Sequence, residues 1–327
     1  MKKVLFALAA VVALAACSKE QTLVTPQPDA IGFNSFVENG TRATNDPSYG
    51  AADNQESLAA FKVYGTVNNI KIFDDVLVEG EVGANVWSYT GPAQYWIKGA
   101  TYNFAAVVDV LKEDITFDAY GLPISISYTA DDTTDILYAE AKNINGTNPG
   151  NNGVVNFAFS HLLSKVEFSA VGQQIAGVTP DGYTYEISNI VIKNAKSEGS
   201  VAVPSREWTV SNDDSNKKTI EGFGSITGAF NAVAAECENA KLLIPATYSD
   251  ATAKLEISFV VTTKFNGGII QVDEYTGAVG KLPTFSVDVD FKPGYSYNFK
   301  FEHSVGMPIN FSVTSDSTWT DSTVTIQ

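Results

Sequence analysis

The chain has 327 residues, and 21 Lys+Arg against 37 Asp+Glu give a formal charge of −16, a polyanion that repels nucleic acid. Only 18% of residues are charged and 44% are hydrophobic, with 19 Phe and 14 Tyr, which excludes an intrinsically disordered chain. At about 100–200 residues per domain, the length predicts two domains, each able to bury a core.

Residues 1–16 read as an export signal. Lys2 and Lys3 form a basic start, Val4 to Ala16 is an unbroken apolar run, and that run is too short to cross a bilayer. Leu14-Ala15-Ala16-Cys17 resembles the lipobox of bacterial lipoproteins, which predicts Cys17 as the lipidated first residue of the mature chain. The alternative is an ordinary secretory signal cleaved near Ala16 with Cys17 left free. No second long apolar run follows, so the membrane attachment implied is lipid. With Cys17 acylated, Cys237 has no partner for an internal disulfide, and Glu236 and Glu238 beside it are expected to raise its thiol pKa.

From Ser18 to Ala30 the chain is polar and carries Pro26 and Pro28, the composition of a tether. Ile31 to Val37 reads as a strand, followed by a polar stretch from Glu38 to Ser57 and a second strand at Ala60 to Val67. The first strand is thus held only through a loop of about twenty residues, a length that implies a function. Period-2 runs then dominate: Thr101–Phe104, Ile124–Tyr128, Val155–Phe159, Lys165–Phe168, Tyr183–Lys193, Lys254–Phe259, Phe285–Val289 and Tyr295–Phe301. Two successive sets of short antiparallel strands predict an all-β chain of two β-sandwiches. The boundary is expected at residues 172–182, where Gly172, Gly177, Pro180 and Gly182 cluster. The resulting division is signal 1–16, tether 17–30, first sandwich 31–175 and second sandwich 176–327. Phe157, Phe159, Leu162, Val166 and Phe168 are expected in the first core.

Sites for chemistry are scarce. His161 and His303 have neither HExxH nor HxH spacing, and no G-x-S-x-G elbow is present. Gly222-Phe223-Gly224-Ser225-Ile226-Thr227-Gly228 has one residue too many for a dinucleotide fingerprint and reads as turn glycines. Asp74-Asp75, the group Asp131, Asp132 and Asp135, and the Asn212–Asn216 run read as solvated turns, with weak calcium binding as the alternative. The last run places Lys217 and Phe223 where an EF-hand needs Gly and Glu. Trp87, Tyr89, Tyr95 and Trp96 read as core, with a sugar platform as the alternative. No catalytic group, metal site or cofactor is expected, and the chain is not read as an enzyme.

A fuller resemblance emerges from the middle of the chain. Asp135-Ile136-Leu137-Tyr138-Ala139, Val154 to Phe159, and Ser160-His161-Leu162-Leu163-Ser164-Lys165-Val166-Glu167-Phe168 are similar to a central signature of the fimbrillin family, type V pilus proteins of Gram-negative gut and oral anaerobes. The lipobox, the isolated strand and Asn39-Gly40-Thr41-Arg42-Ala43-Thr44 resemble that family's N-terminal layout. Ile190–Lys193, Leu243-Ile244-Pro245 and Lys292-Pro293-Gly294-Tyr295 resemble later landmarks.

The resemblance implies two transthyretin-like β-sandwiches in tandem, exported as an outer-membrane surface lipoprotein. It also implies cleavage between Arg42 and Ala43 by an Arg-specific protease, release of the first strand, and assembly with other pilus subunits by strand addition. The run Ser322–Gln327 alternates and is a candidate donor strand. The competing expectation is a monomeric surface lipoprotein that binds glycans.

Overall fold

The computed structural model describes residues 30–37, 60–80, 87–174, 181–248 and 254–316, together with the short strands Leu23–Val24, Tyr49–Gly50 and Ser57–Leu58. Cys17, Arg42, Ala43 and the run from Ser322 to Gln327 lie outside the described residues. Among these residues the chain is all-β, interrupted only by the single 3₁₀ turns Lys112–Asp114 and Asn151–Gly153.

The first sandwich is one long sheet folded over on itself. In spatial order it runs Leu23–Val24, Trp87–Thr90, Ile70–Gly80, Ala60–Val67, Thr101–Val108, Leu137–Asn145, Val154–His161 and Gly32–Val37. Only Leu137 with His161 and Tyr138 with Ser160 join the last two strands to the rest. At that seam the sheet turns over and brings its own inner face together: Phe61 lies 5.7 Å from Phe157 and Phe33 lies 5.2 Å from Phe73, edge on in both cases. Phe61, Val63, Tyr102, Phe104, Phe157 and Phe159 are fully or almost fully buried there, as period-2 alternation requires.

The outer face of this sheet is also apolar. Tyr64, Val107 and Tyr138 point away from the first core and meet a four-stranded sheet made of Glu207–Thr209, Glu198–Ala202, Pro123–Thr129 and Ile115–Phe117. The hairpin at 198–209 comes from late in the chain, yet pairs with 123–129 in the register Ser125 to Ala202 through Thr129 to Glu198. Leu162 lies in this middle layer with Leu163, Leu242 and Ile244, so it does not join the first core as expected.

The second sandwich packs two further sheets. In one, Ser164–Gln173 lies between the short strands Ala234–Glu236 and Lys241–Leu243 on one side and Ser296–Ser304 on the other, with Asn310–Asp316 beyond. In the other, Tyr183–Ala195, Leu255–Phe265 and Gly268–Tyr275 are consecutive neighbours. The sheets meet through rings such as Phe259 and Phe301, 4.6 Å apart.

Val166 and Phe168 sit in this second core, which corrects their expected place in the first. The physical reason is the crossing at Leu162–Leu163. These two residues separate Val154–His161 from Ser164–Gln173, and the chain passes there from one sandwich to the other without breaking its apolar pattern. Most strand pairs are antiparallel, as expected, but among the described residues each sandwich also contains one parallel strand pair.

Candidate functional site: the seat of the first strand

The segment 30–37 is inserted between two parts of the first sandwich. On one side Gly32–Val37 pairs in parallel with Val154–Phe159 over six residue pairs. On the other, Ala30 bridges Tyr95 and the Ile31 N–H donates to the Gln94 carbonyl at 2.8 Å. The row of backbone groups facing Val154–Phe159 is paired along the strand, and the other side is held at Ala30 and Ile31.

Ile31 and Phe33 point inward and are 0% and 3% exposed. The Phe33 ring stacks on Phe157 at 5.8 Å and meets Phe73, Tyr89 and Phe104 edge on at 5.2, 5.7 and 5.9 Å. Four aromatic rings from four strands thus converge on one side chain carried by the segment 30–37. Burying such a ring stabilises by about 1.5–3 kcal/mol relative to leaving it exposed.

Polar contacts set the register. The Trp87 indole N–H donates to Asn34 Oδ1 at 3.1 Å, and the Ser35 N–H donates to the same oxygen at 2.9 Å. The Trp96 indole donates to the Gly153 carbonyl at 3.0 Å and so fastens the start of the partner strand. Gly153 has φ +82°, and a Cβ there would lie 3.0 Å from the Trp96 indole nitrogen, so this close approach requires glycine. At the far end of the partner strand, His161 Nδ1 lies 2.5 Å from Asp135 Oδ2, both side chains almost wholly enclosed. His161 therefore lies at the end of its strand, Val154–His161.

The remaining candidates serve the fold. Trp87 and Tyr89 are 4% and 2% exposed and Trp96 packs against the same core, so a sugar platform built on the three does not exist; Tyr95 alone of the group is exposed. His303 is buried within Ser296–Ser304, its Nε2 3.0 Å from Thr263 Oγ1, and burial lowers its pKa against a weaker opposing effect of Asp273. Asn216, in the run considered for calcium, is buried and uses its side chain to hold the backbone of Ser197, Glu198 and Ser211. Gly222 and Gly224 have φ of +81° and +86°, as turn glycines do.

Cys237 has its thiol pKa raised chiefly by burial, and the nearby charge that adds to this is Glu167 rather than its chain neighbours Glu236 and Glu238. Among the described residues no group of three or more His, Cys, Asp and Glu is arranged to hold a metal ion, and no helix is long and apolar enough to cross a membrane.

Two aromatic-rich sandwiches, with the first sheet ending on Gly32–Val37, define an all-β fold. Residues 41–321 match the model of the fimbrillin-like family, and the chain belongs to that family. Membership places it among fimbrial and adhesive proteins of the cell surface, which are structural rather than enzymatic.

Among solved structures, a candidate cell adhesion protein of Bacteroides uniformis superposes with a TM-score of 0.52 at 16% identity, covering 90% of this chain and 100% of its own, a likeness of fold. A candidate cell adhesion protein of Bacteroides ovatus gives 0.49 at 14% identity, with 88% and 97% covered. The fimbrial anchor protein Mfa2 of Porphyromonas gingivalis gives 0.32 at 12% identity, also with 88% and 97% covered. No curated protein matches the sequence.

Proposed function

We propose that this protein is a surface pilus subunit or adhesin that assembles by strand exchange, its own first strand making way for a strand of a neighbouring subunit. The observation that carries this reading is the seating of residues 30–37: parallel pairing on one side, backbone bonds to 94–95 on the other, and Phe33 at the meeting point of four other rings. Its departure opens an apolar slot lined by Phe73, Tyr89, Phe104 and Phe157 and leaves unpaired backbone groups along 154–159 and at 94–95. An added strand satisfies both. The cut that frees it falls between Arg42 and Ala43. Arg42 is the one Lys or Arg between Lys19 and Lys62, so a protease of basic specificity has a single choice in that stretch.

Before assembly the protein is held to the outer membrane by lipid on Cys17. Cleavage after Arg42 separates the fold from that anchor unless the strand remains docked, so cleavage and assembly belong together. A monomeric glycan-binding lipoprotein is the competing reading, weakened by the burial of Trp87 and Tyr89.

The test is Arg42→Ala in the native host, with surface protein compared on gels without boiling, where strand-exchanged polymers resist dissociation. Loss of the polymer ladder with a lipid-bound monomer remaining is the expected result. Ladders equal to wild type would sink the mechanism, and their absence from wild type as well would favour the glycan-binding reading.

A further inference from the structure

The first strand fits its slot well at two inward positions and poorly at the third. Ile31, Phe33 and Ser35 share the inward face by period 2. Ile31 and Phe33 are closed off from solvent, whereas Ser35, partly buried, is the ladder partner of Phe157. The Ser35 Oγ is enclosed and finds no hydrogen-bond partner among the described residues. A hydroxyl taken out of water without a partner is a standing penalty on the docked strand, whereas an aliphatic group in the same place gains from burial.

Two more features weaken the seat. Gly32 has no side chain to pack and loses the most backbone freedom on docking. The pairing with Val154–Phe159 is parallel, which is slightly less stable per residue than antiparallel pairing. The outward polar contact is sound by comparison, since Asn34 Oδ1 receives the Trp87 N–H.

We propose that Ser35 makes the first strand a displaceable occupant, and that the slot prefers an extended segment of another subunit bearing apolar side chains at the positions of Ile31, Phe33 and Ser35 with a hydrogen-bond acceptor at that of Asn34. This inference rests on the strand-exchange reading and adds to it the rule by which the incoming strand wins. The resident strand loses not because the slot is unsuited to strands but because one inward position carries the wrong chemistry. Trp87 then acts as the selector at the neighbouring position, favouring Asn, Gln, Ser or Thr in the incoming strand.

The experiment uses the full chain in detergent, nicked with trypsin after Arg42, and fluorescent peptides reproducing residues 29–38. One peptide carries the native sequence and the other carries Val in place of Ser35. Residence in the slot is followed by fluorescence anisotropy. The Val peptide is expected to stay about tenfold longer than the native one, the order of effect that relieving one unsatisfied buried hydroxyl produces. A nicked Ser35→Ala chain is expected to release its own strand more slowly and so take up the native peptide more slowly. Equal residence of the two peptides, or faster uptake by the Ser35→Ala chain, would overturn the proposal.

A second measurement needs no nick. Amide hydrogen exchange at residues 154–159 in the uncut chain is expected to slow in Ser35→Ala, and acceleration there would equally overturn it. Neither readout involves the host, so a failure of polymers in the Arg42→Ala test and a failure of the Ser35 effect are separate results.

Discussion

The two sandwiches solve the same problem with one parallel pair each, and they differ in how the parallel strand is tied to the chain. In the second, Ser164–Gln173 matches Ser296–Ser304 over nine residue pairs, and its other edge is covered by Ala234–Glu236 and Lys241–Leu243. It is continuous with the preceding strand through Leu162–Leu163, both fully buried. In the first, Gly32–Val37 has six pairs and a single paired ladder partner, with only the bridge at Ala30 on its other side. The same parallel geometry is thus flanked by strands on both edges in one half and chiefly on one edge in the other.

Matched deletions of one inward ring from each parallel strand would break this comparison most directly. Phe168 is fully buried among Phe223, Phe299 and Phe301, and Phe168→Ala is expected to cost about 3–5 kcal/mol of global stability in denaturant unfolding. Phe33→Ala removes a ring of equal size, but its cost to the rest of the fold is capped by whatever holds the strand in place. Beyond that value the strand undocks and the sandwich stays folded. The expected outcome is a large fall in the unfolding midpoint for Phe168→Ala, against a smaller fall for Phe33→Ala with loss of hydrogen-exchange protection confined to residues 94–95 and 154–159. Equal global falls in the two variants would mean that the first strand is as integral as the second.

Much of this architecture was legible from residue pattern. The strand at Ala60–Val67 and the alternating runs Thr101–Phe104 and Val155–Phe159, each inside a longer observed strand, follow from the pattern, and the inward face of Phe157 and Phe159 follows with them. The polar stretch after Val37 was legible as well, but the pairing of Tyr49–Gly50 with Ser57–Leu58 within it was not. What alternation does not encode is which strand lies beside which, or in which direction. Val166 and Phe168 continue the pattern of Phe157 and Phe159 after a gap too short to signal a change of core. The docking of 198–209 onto 123–129 is carried by only Val201 and Val203 as buried apolar side chains in that segment, too few to single it out. Ser35 reads locally as an ordinary polar residue in a strand. Its misfit appears only once Phe157 is beside it.

A smaller effect separates the halves by pH. Burial holds the His303 pKa below its ordinary value, so the folded chain binds fewer protons than the unfolded chain as pH falls through the unfolded value of about 6.5. The stability that His303 contributes is therefore complete above that pH, is lost as pH drops below it, and stops falling once the folded form also protonates. His303 packs against Tyr185 and Phe230, so the loss belongs to the second sandwich. Denaturant midpoints of His303→Gln are expected to vary less than wild type between pH 7.5 and 5. An unchanged slope would assign the pH dependence elsewhere.

The smallest expected effect concerns the contact that sets the register of the first strand. Trp87 is wedged against Phe61, 5.1 Å away, and against Gly80, where a Cβ would approach its ring to 2.7 Å. Its indole therefore has little freedom to seek another acceptor if Asn34 is removed. Trp87→Phe alone confounds the lost hydrogen bond with lost ring volume, and Asn34→Ala alone also removes the bond to the Ser35 N–H. A double-mutant cycle cancels both side effects and leaves the coupling, expected at about 0.5–1.5 kcal/mol. In the second sandwich the corresponding pin is the Ser169 hydroxyl donating to Asn298 Oδ1 at 2.7 Å, between strands that also share the nine-pair ladder. A cycle on Ser169 and Asn298 should show coupling in global unfolding, whereas the Trp87–Asn34 coupling should appear only in the local opening of residues 30–37. Coupling of Trp87 and Asn34 in the global transition would show that the first strand unfolds with its sandwich rather than before it.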